Sequence, residues 1–209
     1  MIPRRFLLTG AAALGGLSAL PARAADRPNP MPEELRRALE RDPTAPVLGN
    51  PSGDITLSVF FDYNCPHCRR MAGPVGQLVA SDPNLRVAYR EWPVFGEGSE
   101  FAARASLATL PMRRYWEFHT ALLAMPDRAA EPSVMRVARR IGLDEKALRQ
   151  GMEAEPVTRH IALSFQLAEH MGLLGTPTFI AGDEAVFGAQ SRADLAALVA
   201  RGRDTLGLG

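Results

Sequence analysis

The 209-residue chain is 46% hydrophobic and 22% charged, the balance of an ordinary soluble globular protein with room for one large domain or a small one carrying an insertion. A chain of this size can bury a sizeable core without help from disulfides or metal. Its formal charge of +1 lacks the basic excess of a nucleic-acid binder, so nucleic acid is excluded as an expected partner.

Arg4 and Arg5 precede an apolar run from Phe6 to Leu20, and Ala22-Arg23-Ala24 then offers a small-x-small cleavage site. Residues 1–24 therefore read as an export signal peptide. The run is too short and too rich in Gly and Ala for a spanning helix. Arg4-Arg5 followed by Phe6-Leu7-Leu8 fits a twin-arginine signal as well as an ordinary secretory one. Removing the segment takes away three arginines and no acids, which leaves the remaining chain slightly acidic.

Residues 25–45 form an N-terminal extension, polar and Pro-rich over Asp26–Pro32, then a short charged helix over Glu33–Arg41. Asp42-Pro43 and Asn50-Pro51 bracket a turn region through which helix cannot pass. Ile55–Phe61 is a β-branched and aromatic run suited to a buried strand. A helix opens at Cys65-Pro66, with Pro74 placed to kink it, and Leu85–Trp92 alternates as a second strand.

The pattern is helical from Ser99 to Gly172. Phe101, Ala105, Ala108 and Met112 share one face, and Val134, Val137, Ala138 and Ile141 share another. Asp144 is placed as an N-cap, and Val157, Ile161, Phe165 and Ala168 mark the apolar side of a longer helix. Strand character returns at Thr178–Ile180 and Ala185–Phe187 around a Gly182-Asp183 turn. Ser191 with Asp194 forms a capping box for a final helix.

The order strand, helix, strand, helical block, hairpin, helix predicts an α/β thioredoxin-like fold with an inserted α-helical domain. The thioredoxin-like part takes residues 46–96 and 173–209, and the insertion takes 97–172. In such folds a C-x-x-C pair sits where the first core strand meets its helix, which is where Cys65 and Cys68 stand.

These are the only two cysteines. A bridge across two residues closes a tiny loop and removes little entropy from the unfolded chain, so it has little structural value. Export to an oxidising compartment lets such a bridge persist, and its chemistry is then the reason for its presence. Unpaired N–H groups at a helix start favour a thiolate at Cys65. Pro66 suits the first turn, where its missing N–H costs nothing. His67 adds a donor or a positive charge beside the same sulfur. Cys68, one turn on and facing inward, is placed to attack a mixed disulfide on Cys65. Zinc would need further ligands, and His119, His160 and His170 are scattered over helices. No metal site and no cofactor are expected, with copper capture by the two thiols kept as an alternative.

Phe60-Phe61-Asp62-Tyr63-Asn64-Cys65-Pro66-His67-Cys68 closely resembles the active-site segment of the DsbA family of periplasmic dithiol oxidoreductases, nearest to its ScsC-like members. Val47-Leu48-Gly49-Asn50-Pro51, Arg90-Glu91-Trp92-Pro93-Val94-Phe95-Gly96 and Gly175-Thr176-Pro177-Thr178-Phe179 extend the resemblance over roughly residues 46–200. It implies a protein-disulfide oxidoreductase in the periplasm, with Cys65, Pro66, His67 and Cys68 catalytic. It implies a cis Pro177 facing the pair, and a Thr176 whose backbone pairs with an extended substrate. The implied partners are unfolded or reduced exported proteins and a membrane redox protein that recycles the enzyme. One departure stands out: Val59 occupies a position where the family often has a buried glutamate that shuttles protons for the inner cysteine. Asp62 falls on the opposite strand face, which leaves water or Glu91 as substitutes.

The leading expectation is a disulfide donor. An isomerase or reductase is the redox alternative, weakly favoured by Thr176 before the proline. The helix at Glu33–Arg41 is short for building an isomerase dimer, so a monomer is expected. A copper-stress thiol protein and a glutathione-dependent transferase are the non-donor readings. The second cysteine and the export signal count against the transferase.

Overall fold

The computed structural model describes residues 31–208, so the signal expected over 1–24 lies outside the described residues. In chain order the elements are α1 (Glu33–Glu40), β1 (Val47–Gly49), β2 (Ile55–Phe61), α2 (Pro66–Ser81), β3 (Leu85–Glu91), α3 (Glu97–Ala108), α4 (Tyr115–Ala124), α5 (Glu131–Arg140), α6 (Glu145–Met152), α7 (Glu155–His170), β4 (Thr178–Ala181), β5 (Glu184–Phe187) and α8 (Arg192–Leu206). The strands form one sheet in the order β1-β3-β2-β4-β5. Only β2 and β3 run parallel, and α2 supplies the crossover that a parallel pair needs. The short edge strand β1 lies in the stretch that reads as turn from sequence. No helix of the described residues is long and apolar enough to cross a membrane.

β2 is buried at all seven positions, as its unbroken apolar run requires of a central strand covered on both faces. β3 is buried at all seven as well, although its sequence alternates. The two arginines are buried because they close the C-terminal end of α1, whose last carbonyls have no partner inside the helix. Arg86 donates to the Glu40 carbonyl, and Arg90 donates to the carbonyls of Ala38 and Leu39 and pairs with Asp42 at 2.7 Å. Thus the alternation marks two different buried surroundings, not one buried face and one wet one.

The helices α3–α7 lie between β3 and β4 in sequence and share the sheet's core. Val59, Phe61 and Tyr89 of the sheet belong to the same buried cluster as Phe118, Leu122 and Val134 of the helices. Asp144 caps α6 through Ala147 N–H at 2.7 Å, and Ser191 and Asp194 cap α8 reciprocally. Pro74 lies within α2, and the helix runs on to Ser81. Phe165 departs from expectation, being 41% exposed. The buried stripe of α7 runs Val157, His160, Ile161, Ser164, Leu167 and Ala168, which leaves Phe165 beside it, edge-on to Trp92.

Candidate active site

The turn between β2 and α2 is fixed by side chains that bond to backbone. Asp62 is buried and accepts from Asn64 N–H at 2.6 Å, Ser99 Oγ at 2.7 Å and Phe95 N–H at 3.0 Å. Asn64 in turn joins the turn to the helical block through Ser99 Oγ and both backbone groups of Ala129. Arg69 spans from the Tyr63 carbonyl to those of Met125 and Asp127. Cys65 is thereby held as the N-cap of α2, with Pro66 at the first helical position.

Both cysteines are reduced and buried. The Cys65 Sγ accepts from the Cys68 N–H at 3.2 Å, and its thiol donates to the Thr176 carbonyl at 3.3 Å. The Thr176–Pro177 peptide bond is cis. Pro177 lines a small cavity together with Cys68, Val59 and His119. Cys65, Cys68, Thr176 and Pro177, drawn from segments about 110 residues apart, therefore meet in one place.

The two thiols are driven apart electrostatically. The Cys65 thiol is lowered to about 6, first by the hydrogen bond from the Cys68 thiol, which outweighs burial. The Thr176 hydroxyl and the backbone N–H groups of Cys68 and His67 lower it further. That hydroxyl is buried and makes no regular hydrogen bond among the described residues. Burial pushes the Cys68 thiol far up, and its bond to Cys65 pushes the same way. One sulfur is thus a thiolate near neutral pH while the other keeps its proton.

His67 contributes to this pattern through its backbone. Its ring is exposed, and Arg70 donates to its Nδ1 at 2.7 Å. Sequence reading left three contributors unmarked: Asn64, Arg69 and His119. His119 stands out only by position, one of several histidines on helices, yet it lines the cavity beside Cys68. Among the described residues no group of three or more His, Cys, Asp and Glu side chains is arranged to hold a metal ion.

Residues 56–200 match the family model described as the DSBA-like thioredoxin domain. A thioredoxin-like oxidoreductase from Silicibacter pomeroyi DSS-3 superposes with a TM-score of 0.79 at 51% identity, covering 81% of this chain and 98% of that one. The thiol-disulfide exchange protein alpha-DsbA2 from Wolbachia pipientis gives 0.73 at 27% identity, covering 80% and 91%. In sequence, the Na(+)/H(+) antiporter NhaA 3 of Salinispora tropica is 27% identical over 135 residues, 64% of this chain. This chain spans only 21% of that antiporter's length.

Proposed function

The chain belongs to the DSBA-like thioredoxin domain family of thiol–disulfide oxidoreductases, and from that premise we propose that it donates disulfides to reduced, exported proteins. The observation that carries the direction is the split between the two thiols. A pair whose reduced form is stabilised by a low-pKa Cys65 and a protonated Cys68 gives up its disulfide readily, because Cys65 leaves easily.

In this reading a substrate thiolate attacks Cys65 Sγ of the oxidised enzyme and forms a mixed disulfide, releasing Cys68 as a thiolate that takes up a proton. A second substrate thiolate then attacks its own sulfur, closing the substrate disulfide and releasing reduced Cys65. Pro66 starts the helix that stabilises Cys65, and the His67 N–H adds to that stabilisation. Thr176 and the cis Pro177 face the substrate. Leu174 and Phe187 flank that loop at 86% and 53% exposure, and they suit an unfolded, partly apolar chain. The enzyme acts as a monomer in the periplasm and is returned to the disulfide form by a membrane redox partner.

The test is to mix the oxidised protein with a reduced, unfolded protein containing two cysteines. One substrate disulfide forms per enzyme, with loss of the Cys65–Cys68 bridge. An enzyme that only reduces a supplied disulfide, and never transfers its own, refutes the donor reading.

A further inference from the structure

Several large apolar side chains stand in water near the redox pair, and one group of them takes no part in the thiol chemistry. Val94, Phe95, Phe165 and Leu174 are all exposed. Soluble proteins seldom leave such side chains together without something to cover them. Val94, after β3, and Phe165, on α7, line a groove of about 470 Å³ together with Trp92 and Leu173. We propose that this groove docks an apolar stretch of unfolded substrate, flanked by a basic residue, a few positions from the cysteine that reacts with Cys65. The proposal deepens the donor reading and rests on it.

The groove is separate from the surface around Phe187. β3 and β5 lie on opposite sides of the central β2–β4 pair, so Val94 and Phe187 flank the cysteines from opposite sides. Trp92 packs in a buried cluster with Leu39, Phe60 and Leu167, while Cys65 and Cys68 belong to another. Two short routes over the end of the sheet connect the groove to the pair. Along one, the Phe95 N–H donates to Asp62 Oδ2 at 3.0 Å, and the Asp62 carbonyl takes the Cys65 N–H at 3.2 Å. Along the other, the three residues from Leu173 to Thr176 span at most about 10 Å. The Thr176 carbonyl then takes the Cys65 thiol at 3.3 Å. An extended peptide advances about 3.3 Å per residue, so side chains about three to five positions from the reacting cysteine reach the groove.

The lining says what such a peptide carries. Phe165 stands edge-on to Trp92, with ring centroids 6.4 Å apart, and Leu173 and Val94 add aliphatic surface. These walls suit a leucine or phenylalanine side chain. The Trp92 indole N–H is buried and makes no regular hydrogen bond among the described residues. Buried donors are nearly always paired, and a peptide carbonyl lying in the groove supplies the acceptor that this one lacks. Glu169 is the one charged side chain of the lining, exposed and in no ion pair among the described residues, so it favours a basic flank. Continuity with the cysteines favours a substrate chain over a second copy of this protein, which would crowd the pair that has to meet substrate.

The experiment mixes the oxidised protein with single-cysteine peptides in excess and follows loss of the Cys65–Cys68 bridge in acid-quenched samples by mass spectrometry. In each reaction the peptide thiolate attacks Cys65 Sγ, the bond to Cys68 breaks, and Cys68 leaves as a thiolate that takes a proton from water. The first peptide carries leucine about four residues from the cysteine on both sides, with arginine beside each. The second has serine for leucine, and the third has glutamate for arginine. The first should react about tenfold faster than the second, the scale of burying one such side chain. It should react about threefold faster than the third at low salt, a margin that high salt screens away.

In Phe165→Ser the leucine-over-serine ratio should fall to near one, and in Glu169→Gln the arginine-over-glutamate ratio should do the same. Each ratio is taken within one variant, so a general loss of reactivity or stability cancels. Val94→Ser repeats the first test from the other wall should Phe165→Ser fail to fold. Equal rates with all three peptides, or a tenfold preference that survives both serine variants, overturn the groove and leave the donor reading standing. A dimer that Phe165→Ser abolishes, with no preference among peptides, gives the groove to a second copy and also overturns the proposal. A wild-type bridge that survives every peptide and glutathione alike overturns the donor reading itself.

Discussion

Cys65 caps the helix that carries Cys68 in its first turn, its Sγ taking the Cys68 N–H at 3.2 Å while the Cys68 thiol hydrogen-bonds to the same sulfur. The relationship makes the two cysteines unequal. The outer sulfur ionises at the expense of the inner one, and the inner one is the donor that makes this possible.

The first prediction is a pH dependence. Alkylation of the reduced protein with iodoacetamide should occur at Cys65 alone, with a rate that rises around pH 6. Because the folded value lies below that of a free thiol, Cys65 stabilises the reduced fold fully above about pH 8.5–9, and loses this contribution as pH falls through 6. The stability gap between reduced and oxidised protein, measured by denaturation, should therefore shift toward the reduced form between pH 6 and 8. A flat gap across that window counts against the assignment.

Replacing the inner cysteine has two effects that a simple trapping experiment overlooks. Cys68→Ala should leave mixed disulfides on Cys65 that persist through nonreducing electrophoresis. It should also raise the midpoint of Cys65 ionisation, because the largest cause of its lowering is removed. An unchanged alkylation midpoint in Cys68→Ala would assign the shift to the helix start and Thr176 alone.

Arg90 and Asp42 form an ion pair at 2.7 Å with both side chains almost fully buried. Asp42→Asn leaves Arg90 charged and unpaired in the core, at a cost of about 3–5 kcal/mol. Burial raises the Asp42 carboxyl, but hydrogen bonds from Thr44 and the charge of Arg90 outweigh it, so the carboxyl sits below its ordinary value. Its contribution is present above about pH 4 and is lost as pH falls through that lowered value. Denaturant midpoints at pH 7 should show the loss in Asp42→Asn, and the gap to wild type should close in acid.

α8 approaches the β4–β5 turn through two glycines. A Cβ on Gly202 would stand 3.0 Å from the Ala181 carbonyl carbon, and one on Gly182, at φ +58°, would stand 2.8 Å from Gly202 Cα. Gly202→Ala should destabilise by about 1–3 kcal/mol, the cost of overpacking, although alanine is the better helix former. A more stable variant in thermal denaturation would show that helix propensity wins over the contact.

Much of this was legible along the chain because it depends on short spacing. The cysteine pair at a strand-to-helix junction and the Thr176-Pro177 loop carry their meaning in a few residues each. Surroundings built from distant segments were not legible. The alternation of β3 says nothing of where Arg86 and Arg90 end up, and only the position of α1 shows that its carbonyls bury them. His119 reads as a packing histidine, and nothing in α4 signals that the cavity beside Cys68 lies against it. Phe165 belongs to an apolar series that drifts off the buried stripe of a 16-residue helix.

The central claim is that the asymmetry of Cys65 and Cys68 makes this pair a disulfide donor. The most direct measurement is the equilibrium of the purified protein with glutathione buffers, reading the Cys65–Cys68 couple. A potential near about −120 mV, the range of strong donors, is the predicted result. A potential near about −270 mV, where thioredoxin-like reductants lie, would contradict it.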